Sequence, residues 1–252
     1  MSQIKLTFIG ILIDFFPIRE KKQPICYSFS QPNSIKDVIE SLGVPHTEVD
    51  IIIVKGRSVD FSYRVSNGDV FDIYPFDTRP SIPEIIHLIP PLQSLPRFVL
   101  DTHLGKLASY LRLFGFDTLY HNDSSDQTLA EISNLEGRIL LSRDVGLLKR
   151  KVVRRAYYIR STIPHEQLIE VINHYQLVNK ILSFTRCIHC NGILKPIRKS
   201  VVEEQLQDKT RQYYDEFKIC DGCSKIYWKG SHYDHMQKFI GQIIHQIEVE
   251  KN

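Results

Sequence analysis

Apolar and polar positions alternate along Ile4–Asp14 and again along Pro24–Ser30, which predicts two strands. The spacing then changes to that of a helix over Ser34–Gly43, with a serine at the start to cap it and a glycine to end it. Two more strands are predicted at Val49–Val54, before the Lys55-Gly56 turn, and at Val70–Pro75, after Asn67-Gly68-Asp69. This is a ββαββ order, an α+β domain spanning 1–77. Residues 78–97 break the pattern with Pro80, Pro83, Pro90, Pro91 and Pro96, so 78–96 reads as an extended, semi-rigid linker. Strand and helix alternate beyond it: strands at Arg97–Leu100, Thr118–Tyr120, Arg138–Ser142 and Ala156–Ile159, and helices at Leu104–Phe114, Asp126–Leu135, Gly146–Lys151 and Pro164–Tyr175. That order predicts a parallel α/β sheet over 97–180. In its first helix Leu104, Leu107, Ala108 and Leu111 form one apolar face, and Lys106 and Arg112 fall off it.

At 42% hydrophobic and 24% charged the composition is that of a globular protein, and no apolar run approaches the ~20 residues of a membrane span. The N-terminus carries no secretory-signal pattern, and the cysteine usage suits a reducing compartment, so a cytoplasmic protein is expected. Cys26 reads as a small buried hydrophobe. The net charge of +3 is unevenly spread: residues 1–80 hold 9 basic and 10 acidic side chains, residues 97–252 hold 23 and 18. Eight Lys or Arg fall within 138–160 against the single acid Asp144. Such a run is either a solvated surface or a phosphate-binding patch.

Cys187-Ile-His-Cys190 and Cys220-Asp-Gly-Cys223, with 29 residues between them, have the spacing of one tetrahedral zinc site. Four thiolates leave no open position, so the zinc is structural and the chemistry lies elsewhere. Residues 181–240 form this ribbon and 241–252 a C-terminal tail. The spacer, with six basic residues among five acids, reads as an extended arm that could help hold a polyanion. Tyr213, Tyr214, Tyr227 and Trp228 either fill the ribbon's core or stack unpaired bases. His189 reads as a turn residue, and His232 and His235 as surface or contact residues. Asp101 follows the apolar strand Phe98-Val99-Leu100, and Asp144 follows Ile139-Leu140-Leu141-Ser142-Arg143. Carboxylates at strand ends can meet around a divalent cation, with Asp126 as a third member, or can be turn and helix-cap acids.

The run from Phe98-Val99-Leu100-Asp101-Thr102-His103-Leu104-Gly105-Lys106-Leu107 to Leu113-Phe114-Gly115-Phe116-Asp117 resembles the opening of the Mut-seven C-terminal ribonuclease family. Arg138–Asp144, Phe184-Thr185-Arg186 before the cysteines and Tyr227–His232 after them are also similar to it, so the match covers about 97–240. The resemblance implies a PIN-like nuclease fold with an appended zinc ribbon. It also implies a metal-dependent endoribonuclease with Asp101, Asp126 and Asp144 as catalytic acids holding Mg²⁺ or Mn²⁺. Lys106, Arg112, Arg143, Lys149 and Arg150 would then contact RNA. One departure is that Ala156–Ser161 carries no carboxylate where PIN nucleases commonly place a fourth acid. Residues 1–77 resemble a ubiquitin-like β-grasp domain of the sulfur-carrier type, without the free Gly-Gly end that a carrier needs, which implies docking to a protein partner. The competing reading is a non-catalytic RNA-binding or adaptor protein. A phosphotransfer domain fits poorly, since His103 stands where a second aspartate is wanted.

Overall fold

The computed structural model describes residues 1–17, 24–31, 33–92 and 94–249; Gln93 of the expected linker and the last three residues of the expected tail lie outside them. The chain gathers into two compact units, residues 1–94 with 125–158, and residues 95–124 with 159–252.

The N-terminal sheet comprises β1 (Ser2–Phe8), β2 (Ile25–Phe29), β3 (Ile51–Val54), β4 (Arg57–Val59) and β5 (Val70–Tyr74), in the order β2-β1-β5-β3-β4. β1 and β5 are parallel, with Leu6 opposite Phe71, and the other pairs are antiparallel. This is a β-grasp sheet. Helix α1 (Ile35–Ser41) buries Ile35, Val38 and Ile39 with Leu6, Phe8, Ile52 and Phe71 in one core. Its cap is as read: Ser34 Oγ accepts the Asp37 amide at 3.1 Å, and Gly43 ends the turn at φ +102°. Three expectations change. β1 stops at Phe8 because Gly10 takes φ +59° and opens a 3-10 turn over Gly10–Phe15. A fifth strand, β4, completes a hairpin through Lys55-Gly56, both at positive φ. Cys26 is exposed, because β2 is an edge strand of the sheet with one face outward.

The proline-rich segment is tied back at two points. The Leu88 and Ile89 amides and His87 Nδ1 bond Asp50, which is 1% exposed, and Ile86 N donates to Ser58 Oγ.

The chain continues through β6 (Phe98–Leu100), α2 (Gly105–Leu113), β7 (Thr118–Leu119), α3 (Asp126–Glu136), β8 (Ile139–Ser142), α4 (Val145–Leu148), β9 (Ala156–Tyr158) and α5 (Pro164–His174). β6 pairs β7 and β8 pairs β9, both parallel, so this region is α/β as expected. The ribbon follows: β10 (Leu194–Ile197), α6 (Lys199–Val202), α7 (Asp208–Tyr213), β11 (Phe217–Cys220) and β12 (Ile226–Trp228), and then α8 (Ser231–Val249). β10, β11 and β12 form an antiparallel sheet.

In the first unit α3, β8, α4 and β9 lie with the β-grasp sheet. His46 faces the Val153 carbonyl through Nε2 at 3.0 Å, Lys149 Nζ donates to the Glu40 carbonyl at 2.6 Å, and the Tyr158 amide donates to Glu48 Oε1 at 2.6 Å. Arg155 donates to the carbonyls of Pro90 and Pro91.

In the second unit Gly115, at φ +95°, ends α2 where the chain after α5 crosses it. A Cβ there would lie 2.3 Å from the Leu182 carbonyl oxygen, so only glycine fits. The spacer between the cysteine pairs is not an extended arm. Val202, Leu206 and Phe217 close a small core of their own, with Ile197, Tyr214 and Ile226 against it. The region read as a tail continues α8, whose Ile240, Ile243 and Ile247 are buried and whose Phe239 ring lies 4.6 Å from that of Tyr110.

Candidate functional site

Each candidate carboxylate sits where a parallel strand gives way to a helix. Asp101, directly after β6, is buried; its Oδ1 accepts the Thr102 amide at 2.6 Å and the Thr102 hydroxyl at 3.2 Å, starting a 3-10 turn over Thr102–Leu104. Asp144, after β8, is exposed and caps α4: its Oδ1 accepts the amides of Gly146 at 2.7 Å and Leu147 at 3.3 Å. Among the described residues Asp144 Oδ2 has no hydrogen bond. Each aspartate is thus a cap and a strand-end acid at once, so the two readings of the sequence are compatible. Asp126 opens α3 and lies 3.6 Å from Arg150.

Sequence reasoning missed Tyr120. Its hydroxyl donates to the Thr102 carbonyl at 2.8 Å and fastens the turn that follows Asp101. It reaches there because residue 105 is glycine: a Cβ would lie 2.6 Å from the Tyr120 oxygen. A glycine opening an otherwise good helix was the available signal.

The cations take different places. Lys106 is exposed, 5.1 Å from the Tyr110 ring centre. Arg143 is half-buried, Lys149 is bound to the Glu40 carbonyl, and Arg150 accompanies Asp126. Arg112 corrects its expected position off the buried face, for it is 4% exposed. Its Nε donates to the Thr118 carbonyl at 2.9 Å, and its Nη1 to the carbonyls of Ile188 (3.3 Å) and His189 (2.8 Å) inside the first cysteine pair. Burial pulls its pKa down, and the nearby Cys187, Cys190 and Asp117 oppose that shift. Asn191 completes the joint: its Oδ1 accepts the Thr118 amide and its Nδ2 donates to Asp117 Oδ1, each at 2.9 Å. The first knuckle is therefore hydrogen-bonded into the β7 edge.

The four cysteines form the only group of three or more metal-ligand side chains gathered for one ion among the described residues. Their ligand atoms all lie within 4.8 Å, with Sγ–Sγ distances of 3.7 Å for Cys187–Cys223 and 3.3 Å for Cys190–Cys220. A tetrahedral ion with bonds of about 2.3 Å gives edges of about 3.8 Å, so the group suits one such ion. Matching turns shape the two halves: Asn191 N bonds the Cys187 carbonyl, Ser224 N bonds the Cys220 carbonyl, and Asn191 and Ser224 both take positive φ. A Cβ on Gly192 would lie 2.6 Å from Cys220 Sγ, so glycine leaves room for the sulfur. Burial pushes the Cys187 thiol up, but the Tyr227 hydroxyl, 3.0 Å from its sulfur, and backbone amides bring it to about 7. Cys190 is pushed up to about 12 by burial and neighbouring thiols. Four thiolates so placed need a cation to coexist.

Among the described residues no helix is long and apolar enough to cross a membrane. No curated protein and no solved structure matches the chain. Two family models do: that of the Mut7-C ubiquitin over residues 1–80, and that of the Mut7-C RNAse domain over residues 96–240. The second spans more than half of the sequence and takes in Asp101, Asp144, Arg112 and all four cysteines, and with the α/β region and the ribbon in place the chain belongs to the Mut7-C RNAse-domain family, with a Mut7-C ubiquitin domain ahead of it.

Proposed function

We propose that this protein is a metal-dependent endoribonuclease with Asp101 and Asp144 among its catalytic acids. The observation that carries the reading is that the residues matching an RNAse-domain model bear both acids at C-terminal ends of parallel strands, where ligands of such sheets bind. The donor set fits Mg²⁺ or Mn²⁺, since carboxylate oxygens are hard ligands and Asp144 Oδ2 is unused by the cap. Bound there, such a cation supplies Lewis acidity and charge neutralisation at the phosphate. The chain's own part is to hold the oxygens still: the Thr102 amide fixes Asp101, and the α4 amides fix Asp144. Asp126 is the third acid in this scheme, and Lys106, Arg143, Arg150 and Lys149 are the phosphate contacts. Arg112 contributes through the knuckle it anchors. The cysteines hold zinc, which the sulfur set favours. The ubiquitin-like domain serves protein docking.

Cleavage of a mixed pool of single-stranded and structured RNA with Mg²⁺ or Mn²⁺ tests this. Asp101→Asn and Asp144→Asn each lower the rate on the order of 100-fold while leaving the fold intact. Undiminished cleavage in both variants overturns the assignment. Tight binding without cleavage by the parent replaces it with the adaptor reading.

A further inference from the structure

The ribbon carries a groove of about 570 Å³ that the proposed chemistry does not use. Phe184, Tyr227, Trp228, Tyr233 and Met236 are among the residues that line it. The Phe184 and Tyr233 rings lie 4.3 Å apart at 33°. Phe184 takes φ +59°, a backbone conformation that a bulky residue adopts at a cost. Trp228 is the chain's single tryptophan and is 40% exposed. Gly230 makes room for it, because a Cβ there would lie 2.8 Å from the indole nitrogen.

The charges at the mouth separate into two kinds. Asp215 is paired with Lys199 at 2.8 Å and Glu216 with Lys229 at 2.6 Å, so the acids are neutralised. Lys218 bonds only the Phe184 carbonyl, and Arg198 has no acidic partner among the described residues. The result is an aromatic-lined groove with two cations that no acid offsets. A planar, stackable ring linked to a negative charge matches both features, whereas an apolar peptide leaves the cations unmet and a bare polyanion leaves the rings unused.

We infer that this groove is a subsite for one unpaired nucleotide of single-stranded RNA, with the base stacked on Trp228 and a phosphate at Arg198 and Lys218. The ligand class rests on the ribonuclease reading above, but the subsite works by binding alone. Titrating the zinc-loaded full chain with a single-stranded RNA of about 8 nucleotides, a length within the usual site size, reads the groove directly. The measurement is made without added Mg²⁺ or Mn²⁺ and follows tryptophan emission, which only residue 228 can supply. The expected result is saturable quenching by RNA and none by inorganic polyphosphate. With end-labelled RNA, Trp228→Ala binds about 5- to 150-fold more weakly, the range for one lost base stack, and Trp228→Phe recovers most of the affinity. Arg198→Ala reduces the slope of log K against log salt by about 0.7. Emission unmoved by saturating RNA, equal quenching by polyphosphate, or parent-like binding by Trp228→Ala overturns the inference. The two readings fail separately: cleavage without quenching removes the groove alone, and quenching without cleavage removes the catalytic assignment alone.

Discussion

Arg112 spends a buried guanidinium on three backbone carbonyls, two of them more than seventy residues away in sequence. A planar fork can serve carbonyls on two segments at once, and a lysine cannot. Arg112→Met is expected to cost about 2–4 kcal/mol in urea unfolding, from the lost charge-assisted bonds and the carbonyls left unmet, with Arg112→Lys recovering little. Parent-like stability in both variants would remove its role as a joint. Gly115→Ala meets the Leu182 carbonyl at 2.3 Å in a left-handed backbone, and a drop of several degrees in melting temperature is the expected reading. Legibility at this scale followed distance along the chain. The strand-end positions of Asp101 and Asp144 were legible because an apolar strand precedes each. Arg112 could not, because helical spacing places it off the apolar face and says nothing of a knuckle that arrives later to cover it.

Among the elements, α8 was missed although its pattern was available: Met236, Phe239, Ile240, Ile243 and Ile247 follow helical spacing. The cysteine turns themselves were legible because a C-x₂-C pair states its geometry locally, whereas the spacer's small core depends on pairings across it. Chelating the metal, or replacing Cys220 by Ser, should unfold the ribbon and release about one zinc per chain, as seen by atomic absorption and loss of its circular dichroism. A Cys220→Ser chain that keeps both metal and fold would refute this. In the β-grasp sheet, burial alone would raise the Asp69 pKa, but Lys55 at 2.7 Å, the Ser66 amide and the Tyr63 hydroxyl outweigh it and hold the carboxyl below its usual range. A depressed carboxylate stabilises above its unfolded pKa, and that contribution is lost as pH falls through the folded value. The stability gap between the parent and Asp69→Asn should therefore be constant above about pH 4 and should narrow below it. A gap that widens on acidification would reverse the sign.

For the molecule as a whole, the order of segments in the sequence does not give their grouping in space. Residues 125–158 belong with the first unit, through contacts made by His46, Glu48, Lys149 and Arg155. The basic run was legible as charge, but the use of two of its members, Lys149 and Arg155, for carbonyls of the N-terminal region was not, since a carbonyl leaves no mark in a sequence. Glu48→Gln weakens the bond from the Tyr158 amide. Hydrogen exchange at that amide should accelerate several-fold, with little change in the β1–β5 ladder.

That same bond bears on how the strand edge at β9 is kept from pairing. Among the described residues β9 ends its row of strands and pairs only with β8, and an uncovered strand edge is a template on which further chains can polymerise. By holding the Tyr158 amide, Glu48 blunts that edge with a carboxylate, which no incoming strand can displace without burying a charge. The N-terminal domain is in this sense a built-in aggregation guard, and a chain begun at residue 95 should self-associate at concentrations where the chain of 252 residues does not.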